Sequence, residues 1–422
     1  MATSSNGHLE GDPQYYNFLA FQKVQDIKRN GMTEFEVHPE GQGPAGVASI
    51  LYLMWNNPYA VVLLNAALHA SSFVVMVLIL REWFPLKTSI LGALPLALSP
   101  YLMFWFSQIN KDTFALIGAL LFTLGLLRLT IHKNLFLTRK LFFLLVAVSG
   151  IALIWLVRPY LNQMLLPVTA VILFVAFLQK IQLRVRWQEL ISFVMCALLL
   201  CASLAILGQG AASNDTLDSF DNFKPILRVN AQTVAARCDA MIEKEQWLDE
   251  PLMPDFVNRK LKAIAGHRCR IFILLESQTN AAALKAVVDR DRLLDGSLKT
   301  LSYIPRAALL GIFAPWPTDW SSIFSTPRSV FYTITSIEAG MMYAGLAALA
   351  VWSFRSRRRD IFIPLALAAS VMTVYGMATP FLGALYRYRF PWWMLTICIG
   401  LAALIEICRW NRKWSGEPER VS

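Results

Sequence analysis

Nine stretches of this chain are apolar on nearly every face and about as long as a bilayer core is thick. They cover residues 58–80, 89–108, 113–131, 141–157, 161–178, 190–207, 329–352, 361–379 and 392–408. At 1.5 Å per residue, about 20 helical residues cross the hydrocarbon. Lipid offers no hydrogen-bond partners, so a spanning segment must satisfy its own backbone, which a helix does. None of the runs alternates apolar and polar residues, as the strands of a membrane barrel would. Ala, Gly and Ser recur inside them, which suits close helix packing in lipid. The expectation is an all-α, polytopic transmembrane helical bundle of about nine spans. It would carry amphipathic segments and one large loop on its outer face.

Composition agrees. Charged residues are 16% of the chain, where a soluble protein carries about 25%, and mean hydropathy is +0.47. The formal charge of +11 sits mostly in short loops, which is a topology signal and not a nucleic-acid one. Lys133, Arg139 and Lys140 follow the third run, and Lys180, Arg184 and Arg186 the fifth. Arg355, Arg357, Arg358 and Arg359 follow the seventh, and Arg409, Arg412 and Lys413 the ninth. Arg81 and Lys87, after the first, join them. With alternating spans all these lie on one side, and the positive-inside rule makes it the cytoplasm. The N-terminal tail, the loop around Lys111, residues 208–328 and residues 382–391 are then outside. Residues 1–11 have no apolar signal region. An outer tail means either that a polar tail is itself translocated or that a further helix lies upstream; the expectation is the second, with ten spans in all and both termini inside.

The organisation read from this has five parts. Residues 1–57 form a first outer (periplasmic) loop and 58–207 a six-helix transmembrane region. Residues 208–328 form the large outer loop or subdomain, 329–408 three further spans, and 409–422 a cytoplasmic tail. In the first loop, Tyr15, Tyr16, Phe18, Leu19, Phe21, Val24 and Ile27 suggest a short helix on the membrane or the bundle, with its apolar residues spread around the axis. Residues 47–55 are apolar but too short to span and belong at the interface. In the large loop, residues 222–262 read as helical. Cys238 and Cys269 are the only cysteines outside the runs. They could pair in an oxidising compartment, though spacing alone leaves this open. No CxxC, HExxH or His cluster marks a zinc site. No Walker-type or GxGxxG loop marks a nucleotide site.

Polar residues collect on the outer side. Gly11-Asp12-Pro13-Gln14-Tyr15-Tyr16 lies in the tail, and Asn110-Lys111-Asp112 after the Ser99-Pro100 run. Arg158-Pro159-Tyr160 joins the fourth and fifth runs. Tyr303-Ile304-Pro305-Arg306 leads to Ala314-Pro315-Trp316-Pro317-Thr318-Asp319-Trp320. Tyr386-Arg387-Tyr388-Arg389-Phe390-Pro391 precedes the last run. Outer loops are usually poor in Lys and Arg, so cations kept there need another reason than topology. Lipid headgroup contact is one. Binding an anionic substrate is another.

With these motifs the chain resembles the GT-C superfamily of integral-membrane glycosyltransferases. The branch is that of protein mannosyltransferases, the aminoarabinose transferase and the Rgt-type enzymes. Gly11-Asp12 with Tyr16, the Ser99-Pro100 run ending in Lys111-Asp112, Ala314-Pro315-Trp316-Pro317, and Arg387-Tyr388-Arg389-Phe390-Pro391 carry the resemblance. It implies a helical bundle in a bacterial inner membrane, a polyprenyl-phosphate sugar donor, and a lipid, glycan or protein acceptor. It puts the catalytic carboxylate in the first outer loop, at Asp12. The family's first helix has no counterpart in this sequence.

The chemistry suits such residues. A carboxylate takes the acceptor's proton, and cations stabilise the charge growing on the leaving phosphate. Asp12 is then the catalytic base, with inversion at the anomeric carbon. Lys111, Arg387 and Arg389 bind phosphate, with Arg306 and Tyr16 beside them, and Asp112 and Glu338 are further candidates. A divalent metal bridging Asp12 or Asp112 to phosphate is compatible with these residues and not required. Inside the runs, Asn65 and His69 share one helix face, and Glu338 lies about three turns into the seventh. Two rival classes remain. An O-antigen polymerase or ligase would use a diphosphate-linked glycan and the large loop's Arg or His. A transporter or flippase would show mid-membrane charges and inverted repeats.

Overall fold

The structure, a computed structural model, describes residues 12–55, 57, 59–132, 136–209, 247, 249–277, 287–289, 292, 294, 296–317 and 329–414. The fold is all-α. Among the described residues the only β feature is an isolated bridge between Val287 and Phe381. The helices are α1 (Asp12–Asn30), α2 (Gly43–Met54), α3 (Tyr59–Leu80), α4 (Leu86–Leu98) and α5 (Pro100–Phe106). Next come α6 (Asp112–Ile131), α7 (Leu137–Val157), α8 (Pro159–Gln182), α9 (Trp187–Gln209) and α10 (Asp255–Ser277). Then follow α11 (Ser297–Ser302), α12 (Ile304–Phe313), α13 (Ser329–Ser356), α14 (Phe362–Ala378) and α15 (Leu382–Trp414). Among the described residues eight helices are long and apolar enough to cross a membrane: α3, α6, α7, α8, α9, α13, α14 and α15.

Two sequence expectations are corrected. Residues 89–108 do not form one helix. α4 stops at Leu98, Ser99 turns extended (φ −60°, ψ 115°) and α5 restarts at Pro100. The proline ring disfavours helical backbone at the residue before it and supplies no N–H. Conversely, residues 382–391 are not a loop before the last span. They are the first turns of α15, which continues through Pro391 to Trp414. The tail helix also differs in detail. Tyr16, Leu19, Ala20, Val24 and Ile27 of α1 are buried together while Phe18 is exposed, so α1 has one packed face.

The chain divides into two compact units: residues 1–212 with 323–368 and 391–422, and residues 213–322 with 369–390. In the first, α6 is the central helix. The share of its most apolar window that is buried reaches 83%, against 28% for α3, α8 and α9, so those three turn much of their surface outward. Leu63, Val74, Val171, Phe174, Leu198 and Ile206 are exposed on them, as a lipid-facing surface requires. α6 meets α7 closely because a Cβ on Gly150 would lie 2.5 Å from the Gly118 carbonyl oxygen; only small residues allow that approach.

The two ends of this unit differ. At the basic end Glu82, after α3, accepts from Arg128 of α6 at 2.5 Å and lies 3.3 Å from His132. Arg358, after α13, donates to the Glu82 carbonyl at 3.4 Å. Arg409 of α15 donates to Thr88 of α4 at 2.9 Å. Lys140 of α7 reaches Ser192 of α9 at 2.6 Å, and Lys180 of α8 the His132 carbonyl at 3.0 Å. Helices that alternate in direction bring their ends together in this way. At the opposite end α1 packs on α2. Tyr16, Leu19, Ala20 and Val24 form a core with Ala45, Ala48, Tyr52, Val61 and Ile109. The Tyr52 hydroxyl donates to Asn17 Oδ1 at 2.8 Å.

In the second unit α10 packs on α12. Leu261 and Ala265 meet Leu294, Tyr303, Ala307, Leu310, Ala314 and Met377. Cys269 is disulfide-bonded; Cys196, Cys201, Cys398 and Cys408 are free. Cys238 and most of residues 222–262 lie outside the described residues.

Candidate functional site

The opposite end of the first unit holds four of the residues picked from the sequence. Asp12 opens α1, and Tyr16 stands four residues on, which on a helix is one turn along the same face. Tyr16 is buried, and the Lys111 ammonium lies 5.6 Å from the centre of its ring, a cation–π distance. Lys111 is the N-cap position of α6. The Asn110 side chain does the capping: its Oδ1 accepts from the backbone N–H of Asp112 at 2.9 Å and of Thr113 at 3.4 Å. This satisfies two of the donors that every helix start leaves open. Asp112 forms a buried ion pair and hydrogen bond with Arg158, which sits between α7 and α8. Lys111 is thus held between two anchored neighbours.

His38 closes this end. Its ring meets Trp155 edge-on at 4.6 Å. Burial pushes its basicity down; bonds to the carbonyls of Trp155 and Leu156 oppose that, and the charge of Lys111 adds to it. Tyr15 donates to Glu40 at 2.6 Å.

Asn65 and His69 of α3 reach the two short helices that replace the second run. His69 Nε2 is 2.9 Å from the Leu96 carbonyl oxygen. The Asn65 amide donates to the carbonyls of Phe106 at 3.0 Å and Gln108 at 2.8 Å. These are carbonyls that an interrupted helix leaves without intrahelical partners. Ser99, at the break, donates to Glu338 of α13 at 3.0 Å. The two polar residues four apart on α3 therefore bridge helices.

The other sequence candidates belong to the second unit. Arg389 is 1% exposed. Its guanidinium donates to the carbonyls of Leu310 at 3.0 Å, Gly311 at 2.7 Å, and Ala314, where α12 ends. That cation sits where helix carbonyls and the negative end of the dipole collect. Arg306 grips Asp289 with two bonds of 3.1 Å, and Tyr303 donates to the same carboxylate at 2.8 Å. Burial works against ionisation of Asp289, but the bonds from Arg306 and Tyr303 outweigh it and hold the carboxyl below its usual range. Burial also raises the Tyr303 phenol to about 12. Arg268 stacks on Tyr303 at 5.0 Å and donates to the Val288 carbonyl at 3.1 Å. Arg387 is half-buried next to Tyr388, whose ring lies 5.7 Å from that of Tyr375.

Sequence reasoning missed Asp289, whose neighbours form an ordinary mixed-charge run. It also missed the capping role of Asn110, which an Asn just before an apolar helix does signal. Among the described residues no group of three or more His, Cys, Asp or Glu side chains stands ready to hold a metal. The Asp112 carboxylate is paired with Arg158.

Eight apolar helices, outward-facing aliphatic surfaces and a chain alternating between two ends define a multi-pass membrane protein. Comparison with protein-family models, with characterised proteins and with solved structures finds no match.

Proposed function

We propose that this protein is a glycosyltransferase of the bacterial inner membrane. It would move a sugar from a polyprenyl-phosphate donor to a hydroxyl on a lipid, glycan or protein at the periplasmic face. The observation that carries this reading is the neighbourhood of Tyr16. The carboxylate position Asp12 lies one turn before it on α1, and Lys111 rests on its ring. A base and a phosphate-binding cation are the two things the reaction needs. The acceptor oxygen attacks the anomeric carbon and gives its proton to Asp12. The bond from that carbon to the phosphate oxygen breaks, and its electron pair leaves with the polyprenyl phosphate. Lys111 stabilises the charge that accumulates there. One displacement of this kind inverts the anomeric centre.

The disulfide at Cys269 supports an oxidising compartment for the large loop. The basic end of the bundle supports a cytoplasmic assignment for the other side.

Asp12→Asn tests the reading. Asparagine keeps the size and the turn chemistry of the position but cannot take a proton. Transfer from a polyprenyl-phosphate sugar by purified protein should be abolished while donor binding persists. Equal activity in the variant would remove Asp12 from the mechanism. A second reading, transport, is favoured by one observation: a broken helix whose break is hydrogen-bonded to the buried Glu338. Sugar-lipid movement in proteoliposomes without any transfer product would select it.

A further inference from the structure

We infer that Asn65 is a positioning residue for Lys111. By gripping the end of α5 it fixes where the loop beyond sets the lysine. This rests on the reading that Lys111 meets the donor phosphate. α5 is a seven-residue helix, about 10 Å long, separated from α4 by the break at Ser99. It cannot inherit its place from a long parent helix, so its ends must be held by something else. Ser99 is held by Glu338 at one end. At the other, the single amide of Asn65 takes both the Phe106 and the Gln108 carbonyls.

Three steps along the chain from Gln108 stands Lys111. Ile109 is buried in the α1–α2 core between them, and Asn110 caps α6. Loss of the grip at Gln108 would loosen the loop that leads to Lys111 and leave it to the burial of Ile109 and the α6 cap alone. The orientation of the Asn65 amide is forced, because both partners are carbonyls and can only accept. That leaves Asn65 Oδ1 buried with no hydrogen-bond partner. A residue kept fully buried at that cost is there for its two donors. Leucine would fill the space and lose both bonds. Aspartate, nearly isosteric, would turn lone pairs toward both carbonyls.

The experiment reads the position of Lys111 and its use separately. In detergent-solubilised full-length protein, acetylation of Lys111 by an amine reagent is followed by mass spectrometry. Asn65→Leu should speed modification of Lys111 at least tenfold while leaving Lys23 unchanged. Asn162→Leu, which removes an equally buried Asn from α8, should leave Lys111 unchanged. If Leu at position 65 is not produced as folded protein, Asn65→Ser, which keeps one donor, should give an intermediate rate. Farnesyl phosphate binding is then measured for wild type, Asn65→Leu, Lys111→Ala and the double variant. Each single change should weaken binding at least tenfold, and the double little more than either.

An unchanged Lys111 rate in Asn65→Leu overturns the positioning role and leaves the donor reading standing. The same rate increase in Asn162→Leu overturns it too, since loosening would then be general. Faster modification together with unaltered farnesyl phosphate binding in Lys111→Ala upholds the positioning and removes the lysine from donor binding. Fully additive losses in the double variant sink the coupling between the two residues.

Discussion

Replacing Asp112 by leucine would leave the charge of Arg158 buried and alone. Arg158 is 2% exposed and Asp112 9%, so solvent screens neither partner. Removing one partner of such a pair typically costs about 3–5 kcal/mol. Asp112 is also the first residue of α6, where a carboxylate is favoured by about 0.3–1 kcal/mol. Asp112→Leu should therefore destabilise the protein by roughly 4 kcal/mol. Arg158→Leu should cost less. The stranded carboxyl can take up a proton, whereas a guanidinium cannot shed one. The double variant should recover most of the loss, ending within about 2 kcal/mol of wild type, because well-packed apolar pairs replace buried ion pairs at little cost. Equilibrium unfolding in mixed micelles across an SDS titration measures all four proteins. A cost below about 1 kcal/mol for Asp112→Leu, or a double variant as unstable as the worse single, would refute the buried-pair account. Transfer activity in the refolded double variant adds a second readout. A stable but inactive protein would move Asp112 from scaffold to chemistry.

Three further outcomes are expected. Arg389→Leu removes the guanidinium's bonds to the carbonyls of Leu310, Gly311 and Ala314 and should destabilise the protein by about 2–5 kcal/mol; normal stability with lost donor use would favour a phosphate-binding role. Asp289 has a depressed pKa in the fold, so the stability it contributes is complete above its ordinary value near about 4 and is lost as pH falls through the lower folded value. Hydrogen exchange in peptides covering 287–306 should thus differ between wild type and Asp289→Asn at about pH 7 and converge as pH falls below the ordinary carboxyl range; a constant difference would exclude the ionised carboxylate. A single cysteine at Ser356, the last residue of α13, should resist a membrane-impermeant thiol reagent added from the periplasmic side; labelling without permeabilisation would invert the topology.

Much of this protein was legible from residue order alone. Lipid removes every backbone partner but the helix's own, so apolar length translates directly into helices, and eight of the nine runs do so. Even the broken second run carried its signal in Ser99-Pro100, since proline's constraint on the preceding residue is local. The cap at Asn110 was legible for the same reason. The contacts that distinguish one cation from another were not. Lys111, Arg158, Arg306 and Arg389 look alike along the sequence. The fold lays the first on the Tyr16 ring, pairs the next two with Asp112 and Asp289, and spends the last on the carbonyls that close α12. These partners lie between 17 and 95 residues away, and electrostatics depends on distance in space, not along the chain. The packed face of α1 was hidden likewise, because α2 chooses which of its apolar residues to cover. Local sterics and lipid therefore determined the helices, while long-range packing alone decided which partner each charge meets.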